Sequence, residues 1–198
     1  MTMAEPHTPQ AGDTAPDFML LDSVGMAQRL SSLTANRSLV LVFYRGYWCA
    51  FCLRQLAEFR GHYDDFRSHK MDVAAISVDE PGDAEPMRQL YQLPFVVLCD
   101  AKAEVVQAWN VFNAQEKGGI AKAAVFVIDP GLKVRFSSVD STASRVHPAD
   151  LLAYLSATAS GATAPKPPER RTVVPTVGEV VKTALPTLKL TLFPPKRV

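Results

Sequence analysis

Cysteine is scarce in this sequence, long apolar runs are absent, and positive and negative charges nearly cancel. Three cysteines among 198 residues are too few, and odd in number, for a disulfide framework. No stretch approaches the roughly 18 apolar residues that a membrane-spanning helix needs, and the formal net charge of +1 gives no sign of a nucleic-acid or membrane-surface protein. The N-terminus also lacks the basic start and apolar segment of a signal peptide, so we expect a cytosolic protein.

The chain does contain enough apolar sequence for one α/β domain with a core, since 47% of its residues are hydrophobic. Apolar runs that are typical of strands alternate with helical patterns. Strands are predicted at 17–25, 38–44, 72–78 and 94–99, and helices at 50–68, 83–93, 103–111 and 147–158. The segments "AAVFVID" and "LKVRFSSV", separated by Asp129-Pro130-Gly131, form a predicted hairpin. This order predicts a mixed sheet with helices on both faces.

Composition changes after Thr158. Residues 158–198 hold seven of the fifteen prolines, and seven basic residues against two acidic ones, a balance of +5. By subtraction from the total of +1, the preceding part of the chain carries about −4. We therefore divide the chain into a flexible N-terminus (1–12), one α/β domain (13–157), and a proline-rich linker with a basic, partly apolar docking tail (158–198).

The tail is not simply polar. Thr176 and Glu179 have the spacing of a capping box. One helical face then carries Val177, Val180, Val181, Ala184 and Leu185, and the alternating segment 187–193 carries Leu188, Leu190 and Leu192 on one side. Because such faces are costly to leave in water, we expect the tail to dock on a second copy in a homodimer or, alternatively, on its own subunit, with a disordered tail as the third alternative.

The stretch "VFYRGYWCAFCLRQLAEF" (42–59) places Cys49 and Cys52 between a buried strand and a helix. The thiolate is the nucleophilic form of cysteine, and the unpaired N–H groups and dipole at a helix start favour it. A cysteine three residues further on lies one turn along the same helix, close enough to close a disulfide. The pair therefore indicates a redox couple of the thioredoxin type, and Trp48 can shield a thiol at the lip of the site.

Two other uses of the cysteines compete with redox chemistry, namely half of a metal site and structural filler. A zinc site needs four ligands, and the four histidines show no paired spacing, so we expect no metal. Cys99 ends an apolar strand and is interpreted as an inert core thiol, with a resolving role as the alternative. Arg45 lies between the strand and the thiols, where it either lowers their pKa as a nearby cation or is a surface residue.

Three segments resemble the signature blocks of peroxiredoxin-like redoxins of the alkyl hydroperoxide reductase and thiol-specific antioxidant superfamily. They are "GDTAPDFMLLDSVGMAQRLSSL", "LVLVFYRGYWCAFCLRQLAEF" and "AVFVIDPGLKVRF". The resemblance runs from about residue 11 to residue 157, and the middle block is its most specific part. It implies a thioredoxin-like fold, with a mixed central sheet flanked by helices and the N-terminal extension of peroxiredoxins.

The same resemblance implies roles for the two cysteines. In peroxiredoxins a Glu or Gln followed by Leu stands three residues after the attacking cysteine, and Cys52, Gln55 and Leu56 match that pattern. Cys49 then takes the place of the family's Thr or Ser, and Arg45 that of its Pro. A thioredoxin alignment gives the opposite order, with Cys49 as the nucleophile and Cys52 as the resolving thiol, so the order stays open.

The predicted substrate-binding residues surround the thiols: Trp48, Tyr44, Phe51 and Ala123. Ala123 stands three residues before the Phe of "FVID", where peroxiredoxins carry an arginine and thioredoxins usually a cis-proline. The absent arginine would have stabilised the thiolate and the charge that develops on a peroxide. The absent proline alters the ledge on which thioredoxins hold a substrate's backbone.

We expect one thiolate of Cys49 and Cys52 to attack an oxidised substrate, with Arg45 as the third catalytic residue. The substrate is a peroxide, which gives a sulfenic acid, or a protein disulfide, which gives a mixed disulfide. The other thiol then closes the disulfide, and an external thiol reductant such as a thioredoxin-like protein reopens it. A peroxiredoxin-like thiol peroxidase is thus expected, with a disulfide reductase and a redox-inert scaffold as alternatives, and with no cofactor, nucleic acid or membrane partner.

Overall fold

The computed structural model describes residues 7–159 and 166–181. The strands are β1 (Met19–Asp22), β2 (Ala27–Arg29), β3 (Ser38–Phe43), β4 (Met71–Ser77), β5 (Val96–Cys99), β6 (Phe112–Asn113), β7 (Ile120–Ala121), β8 (Ala124–Asp129), β9 (Lys133–Val139), β10 (Ser144–Val146) and β11 (Arg170–Thr172). The helices are α1 (Leu30–Leu33), α2 (Ala50–Gly61), α3 (Tyr63–Ser68), α4 (Pro81–Leu90), α5 (Glu104–Ala108) and α6 (Pro148–Ala159), and a short helix covers 177–181. None of the helices in these two ranges is long and apolar enough to cross a membrane.

Seven strands form one mixed sheet in the order β2-β1-β5-β4-β3-β8-β9. Strand β3 lies inside it, parallel to β4 and antiparallel to β8, and β4 is also parallel to β5. Strands β8 and β9 pair antiparallel as the predicted hairpin. The mixed sheet predicted from the sequence is therefore confirmed.

The side chains of β3 alternate between two hydrophobic cores, because successive residues of a strand face opposite sides of the sheet. Val40 and Val42 belong to the core that contains both Cys49 and Cys52, together with residues of α2, α3, α4 and α6. Leu41 belongs to the core on the other face, which includes residues of α1 and α5. Helices thus cover both faces, and the dithiol lies on the face that four of them share.

One predicted helix is two helices in the structure. Helix α2 ends at Gly61, and His62, with φ −108° and ψ 11°, separates it from α3. The apolar spacing nevertheless continues through the break, because Phe59 and Phe66 still face the same core, with ring centroids 5.8 Å apart. The prediction of a single helix over 50–68 is wrong for this reason, since periodicity alone does not reveal such a turn.

Two pairs of short strands could not be recognised from the sequence. Strand β6 pairs with β7, and β10 pairs with β11. These strands contain two or three residues each, too few to show an alternation. The second pairing joins residues 170–172, which the sequence analysis assigned to the proline-rich linker and tail, to β10 of the domain.

The capping box that the sequence predicts in the tail is present in the structure. Thr176 and Glu179 form the capping box, because the Glu179 N–H donates to Thr176 Oγ1 at 3.2 Å and the Thr176 N–H donates to Glu179 Oε2 at 2.6 Å. The face that follows is not buried by the domain, since Val177, Val180 and Val181 are 82%, 50% and 49% exposed. The remaining apolar residues of the pattern lie outside the described residues.

Candidate active site

The two cysteines lie where β3 passes into α2. The loop after Phe43 ends at Cys49, which has extended backbone angles and is the N-cap residue of α2. Its sulfur accepts a hydrogen bond from the Cys52 N–H at 3.3 Å. The Cα atoms of Cys49 and Cys52 are 5.2 Å apart, and the two sulfurs are joined in a disulfide. The spacing argument for a closable pair at a helix start is confirmed.

The loop before the thiols is held by a buried carboxylate. The Tyr47 N–H and the Ser77 hydroxyl each donate to Asp79 Oδ2 at 2.8 Å. Gly46 has φ +149°, and a Cβ at this position would lie 2.5 Å from Trp48 Nε1 and 3.1 Å from Asp79 Oδ1. Only glycine therefore allows the loop to pass this close to both Trp48 and Asp79. Burial raises the pKa of Asp79, and its hydrogen-bond donors oppose that shift.

Two donors converge on the sulfur of Cys52. The Arg45 backbone N–H lies 3.4 Å from it, and Arg145 Nη2 lies 3.5 Å from it. Cys52 is wholly buried, and so is Arg145. A cation and an N–H that both face a buried sulfur stabilise its anionic form.

Arg145 is the residue that the sequence analysis missed. It stands on β10, ninety-three residues from Cys52. Its guanidinium donates to the Thr142 carbonyl at 2.7 and 3.0 Å and to Gln55 Oε1 at 2.9 Å, so its orientation is fixed. Burial lowers the pKa of Arg145 to about 10, which leaves the side chain cationic at neutral pH. No sequence signal points to it, because the three-residue strand that carries it has no recognisable pattern.

Arg45 lies in the site rather than on the open surface. Its Nη1 is 3.9 Å from the Cys49 sulfur, and its guanidinium lies over the Trp48 ring at 5.2 Å from the centroid. The same guanidinium forms an ion pair with Glu116, from the loop between β6 and β7. Lys117 lies over the Trp48 ring as well, at 4.3 Å. Trp48 thus contacts two cations beside the thiols.

The other predicted substrate-binding residues differ in their surroundings. Phe51, like Trp48, is partly buried and packs against the core that contains the thiols. Tyr44 is wholly buried, and burial raises its pKa well above the usual value. Ala123 is buried, and its carbonyl accepts the Asp140 N–H at 2.8 Å.

The third cysteine is separate from the pair. Cys99 is a free, buried thiol at the end of β5, and burial, followed by the nearby charge of Asp79, raises its pKa to about 12. A neutral thiol of this kind is a poor nucleophile, which agrees with the interpretation as an inert core residue. Among residues 7–159 and 166–181, no group of three or more His, Cys, Asp and Glu side chains is placed to hold a metal ion.

A closable dithiol at the start of a helix, on a mixed α/β sheet and beside a buried arginine, defines a thiol-dependent oxidoreductase. The AhpC/TSA family profile matches residues 11–137. The chain therefore belongs to the AhpC/TSA family, and the family, the fold class and the kind of enzyme predicted from the sequence are confirmed.

Its relatives include named peroxiredoxins. Alkyl hydroperoxide reductase E of Mycobacterium tuberculosis is 31% identical over 130 residues, which are 65% of this chain and 84% of that protein. Chloroplastic peroxiredoxin Q of Oryza sativa subsp. japonica is 30% identical over 125 residues, 63% of this chain and 57% of that protein. Among solved structures, peroxidoxin BcpB of Mycobacterium tuberculosis matches with a TM-score of 0.64 and 27% identity, over 67% of this chain and 86% of that one.

Proposed function

We propose that this enzyme reduces peroxides with Cys52 as the attacking thiolate and Cys49 as the resolving thiol. The observation that supports this order is the convergence of the Arg145 guanidinium and the Arg45 N–H on the Cys52 sulfur. Cys49, at the N-cap, has the Cys52 N–H and the more distant Arg45 guanidinium as its donors. The closer cation favours the thiolate of Cys52 over that of Cys49.

The oxidative half of the reaction then has two steps, of which only the first consumes an oxidant. The Cys52 thiolate attacks the terminal oxygen of the peroxide, the O–O bond breaks, and the alkoxide or hydroxide leaves and takes up a proton. Cys52 is now a sulfenic acid. The Cys49 thiolate attacks its sulfur, the S–O bond breaks, the leaving hydroxide takes up a proton to become water, and the disulfide forms. An external dithiol, such as that of a thioredoxin-like protein, returns two electrons and regenerates both thiols.

Arg145 supplies the cation that is absent at Ala123. Its Nη2 already faces the sulfur, and Gln55 and the Thr142 carbonyl fix the guanidinium in that orientation. It therefore favours the thiolate form of Cys52 at neutral pH, and it needs no reorientation before the attack. Arg45 performs a related task for Cys49, weakened by its ion pair with Glu116.

Reduction of protein disulfides is the second candidate function. The observation that favours it is the Cys-x-x-Cys pair at a helix start with Trp48 directly before it. Against it, residue 123 is an alanine, so this position lacks the cis-proline ledge of thioredoxins. A homodimer, which the tail pattern suggests, remains a proposal alongside either function.

Stopped-flow fluorescence separates the two substrates. The fully reduced protein, mixed with hydrogen peroxide, an organic hydroperoxide or a disulfide-bonded peptide, should react with a peroxide far faster than free cysteine does, because its thiolate is preformed. The signal should come from Trp48, which lies beside the thiols, and the Trp48→Phe variant should lose it while buried Trp109 stays unchanged. Peroxide rates no higher than that of free cysteine, with a rapid reaction of the peptide, would establish the disulfide reductase instead.

A pair of variants tests the role of Arg45. In the reduced protein, Arg45→Met should raise the pH at which Cys49 is alkylated by iodoacetamide by on the order of one pH unit, because a cation beside the sulfur is lost. Glu116→Gln should shift the same midpoint downward, because it frees Arg45 from its carboxylate partner. The alkylated cysteine is identified by peptide mass spectrometry. Shifts of the same sign in both variants would show that Arg45 acts through the conformation of the loop, and the absence of any shift would show that it does not influence Cys49.

A further inference from the structure

The strand that carries Arg145 is held by β11 and not by the seven-stranded sheet. Strand β10 pairs antiparallel with β11, which places Arg145 opposite Arg171. Within residues 7–159 and 166–181, β10 pairs with no other strand. The Val173 N–H extends the pairing, because it donates to the Ala143 carbonyl at 2.7 Å, and the Val173 side chain is buried. Both strands lie after residue 137, where the match to the AhpC/TSA profile ends.

A buried carboxylate links β10 to the end of β9. Asp140 directly follows β9, and its side chain is wholly buried. Its Oδ2 accepts the N–H of Val146, the residue after Arg145, at 3.1 Å. Its Oδ1 accepts the Ser138 hydroxyl at 2.5 Å. Asp140 therefore fixes the backbone beside Arg145, and it also brings a negative charge into the surroundings of that guanidinium.

Arg170, on β11, provides the counter-charge of Asp140. Its Nε lies 2.9 Å from Asp140 Oδ1, and its Nη2 donates to the Ser138 hydroxyl at 3.1 Å and to the Val139 carbonyl at 3.3 Å. Among the residues that the structure describes, no other cation lies within 4 Å of the Asp140 carboxylate. Since a buried carboxylate is costly without a partner, Arg170 meets a need that the fold itself creates.

Asp140 and the Cys52 thiolate attract the same cation. Burial lowers the pKa of Arg145, the negative charge of Asp140 opposes that shift, and the positive charge of Arg45 adds to it. While Arg170 pairs with Asp140, the carboxylate is neutralised and the charge of Arg145 acts on the sulfur 3.5 Å away. Without Arg170, Asp140 would offset part of that charge or turn the guanidinium towards itself.

We propose that β11 positions Arg145 for its action on Cys52, and that Arg170 is the positioning residue, because it neutralises Asp140 and leaves the Arg145 guanidinium to the sulfur. The proposal deepens the proposed function and rests on it, since it concerns the cation beside the proposed nucleophile. The segment after the proline-rich linker is then part of the machinery that prepares the thiolate, although it contacts neither cysteine.

A titration of the Cys52 thiol in the reduced protein tests the proposal. Arg170→Met should raise the pKa of Cys52 by about half a unit, because Asp140 then offsets part of the Arg145 charge. The pKa is measured from the pH dependence of the Cys52 Cβ resonance in NMR spectra, which is assigned by its absence in Cys52→Ser. An unchanged or lowered pKa in Arg170→Met would overturn the proposal.

Arg171→Met is the matched control. Arg171 is the next residue on β11 and is similarly exposed, with 57% of its side chain accessible against 52% for Arg170. Its Nη2 pairs with Asp150 of α6 at 2.5 Å, so its loss removes the same charge from the same strand without exposing Asp140. The pKa of Cys52 should stay as in the wild type. Equal shifts in the two variants would show a general effect of charge or of β11 packing and would contradict the role of Arg170.

Two double variants show whether Arg170 acts through Arg145. In the Arg145→Met background, Arg170→Met should raise the pKa of Cys52 no further, since the cation that it positions is absent. Arg170→Met combined with Asp140→Asn should return the pKa to the wild-type value, because the uncompensated carboxylate is removed. A shift that persists in either double variant would show that Arg170 acts by another route and would overturn the proposal.

The titration uses no peroxide, so its outcome is separate from that of the proposed function. If the pKa shifts as expected while Cys52→Ser still reduces peroxide, the positioning of Arg145 by Arg170 stands and the assignment of Cys52 as the nucleophile is wrong. If Cys52→Ser is inactive while the pKa is the same in Arg170→Met and the wild type, the proposed function stands and the positioning role is wrong.

Discussion

The Cys52→Ser variant should reduce peroxide at less than about one-thousandth of the wild-type rate, because it removes the proposed nucleophile, the thiol on which Arg145 and the Arg45 N–H converge. A serine hydroxyl at this position stays protonated at neutral pH and does not accept oxygen from a peroxide. The rate is measured as consumption of hydrogen peroxide by a stoichiometric excess of reduced protein, which removes any dependence on the external reductant.

Cys49→Ser should behave differently from Cys52→Ser. It keeps the attacking thiolate and its cation, so the first oxidation should remain within about tenfold of the wild-type rate. Without a resolving thiol, the product should be a sulfenic acid on Cys52, detectable by dimedone labelling and mass spectrometry. Cys99→Ala is the control, and it should leave both the rate and the Cys49–Cys52 disulfide unchanged, because Cys99 takes no part in the pair.

The roles of the two cysteines are assigned by which single variant still shows the rapid first oxidation by peroxide. If Cys52→Ser reacts rapidly and traps a sulfenic acid on Cys49, the roles are reversed, as in the thioredoxin alignment. If both variants react as fast as the wild type, neither thiol is the peroxide nucleophile.

Replacement of Arg145 should have the next largest effect. Arg145→Met keeps most of the side-chain volume but removes the charge 3.5 Å from the Cys52 sulfur. We expect the rate with peroxide at pH 7 to fall about ten- to hundredfold, since loss of an adjacent cation shifts ionisation of a thiol by about one to two pH units. The same change leaves Gln55 and the Thr142 carbonyl without a donor, so folding is checked by circular dichroism.

The pH profile separates a charge effect from a structural one. Arg145 is cationic below its pKa of about 10 and loses its charge above it. The ratio of wild-type to Arg145→Met rates should therefore be largest near neutral pH and should approach one as the pH rises through 10, where the thiol ionises without help. Arg145→Lys should recover part of the loss. A ratio that stays constant from pH 6 to pH 10 would show that Arg145 acts through packing alone.

Arg135→Met is the matched control for Arg145→Met. Arg135 is a partly buried arginine on β9 whose Nη2 lies 3.2 Å from Asp129 Oδ1, at the opposite end of the β8–β9 hairpin from Ala123. Its loss removes one positive charge from the protein without altering the contacts of either active-site sulfur. The pH profile of peroxide reduction should therefore stay as in the wild type.

Much of the fold and the dithiol could be predicted because the signals are local. The apolar run of β3, the cysteine pair at the start of α2 and the Asp129-Pro130-Gly131 turn each depend on residues a few positions apart. The capping box of Thr176 and Glu179 is another case, since both partners lie within one helical turn. The sequence predicted one helix over 50–68 because the apolar spacing continues where the backbone changes direction at His62, between α2 and α3.

By itself, the sequence determined the alternation of strands and helices, the position of the thiols at a helix start, and a tail with one-sided apolar patterns. The tertiary structure alone decided which charges surround those thiols. Arg145 reaches Cys52 from a three-residue strand, and Glu116 reaches Arg45 from a loop between two-residue strands. Such contacts arise from the packing of segments distant in sequence, and no periodicity or spacing along the chain encodes them. The cation beside the Cys52 sulfur could therefore be identified only from the folded structure.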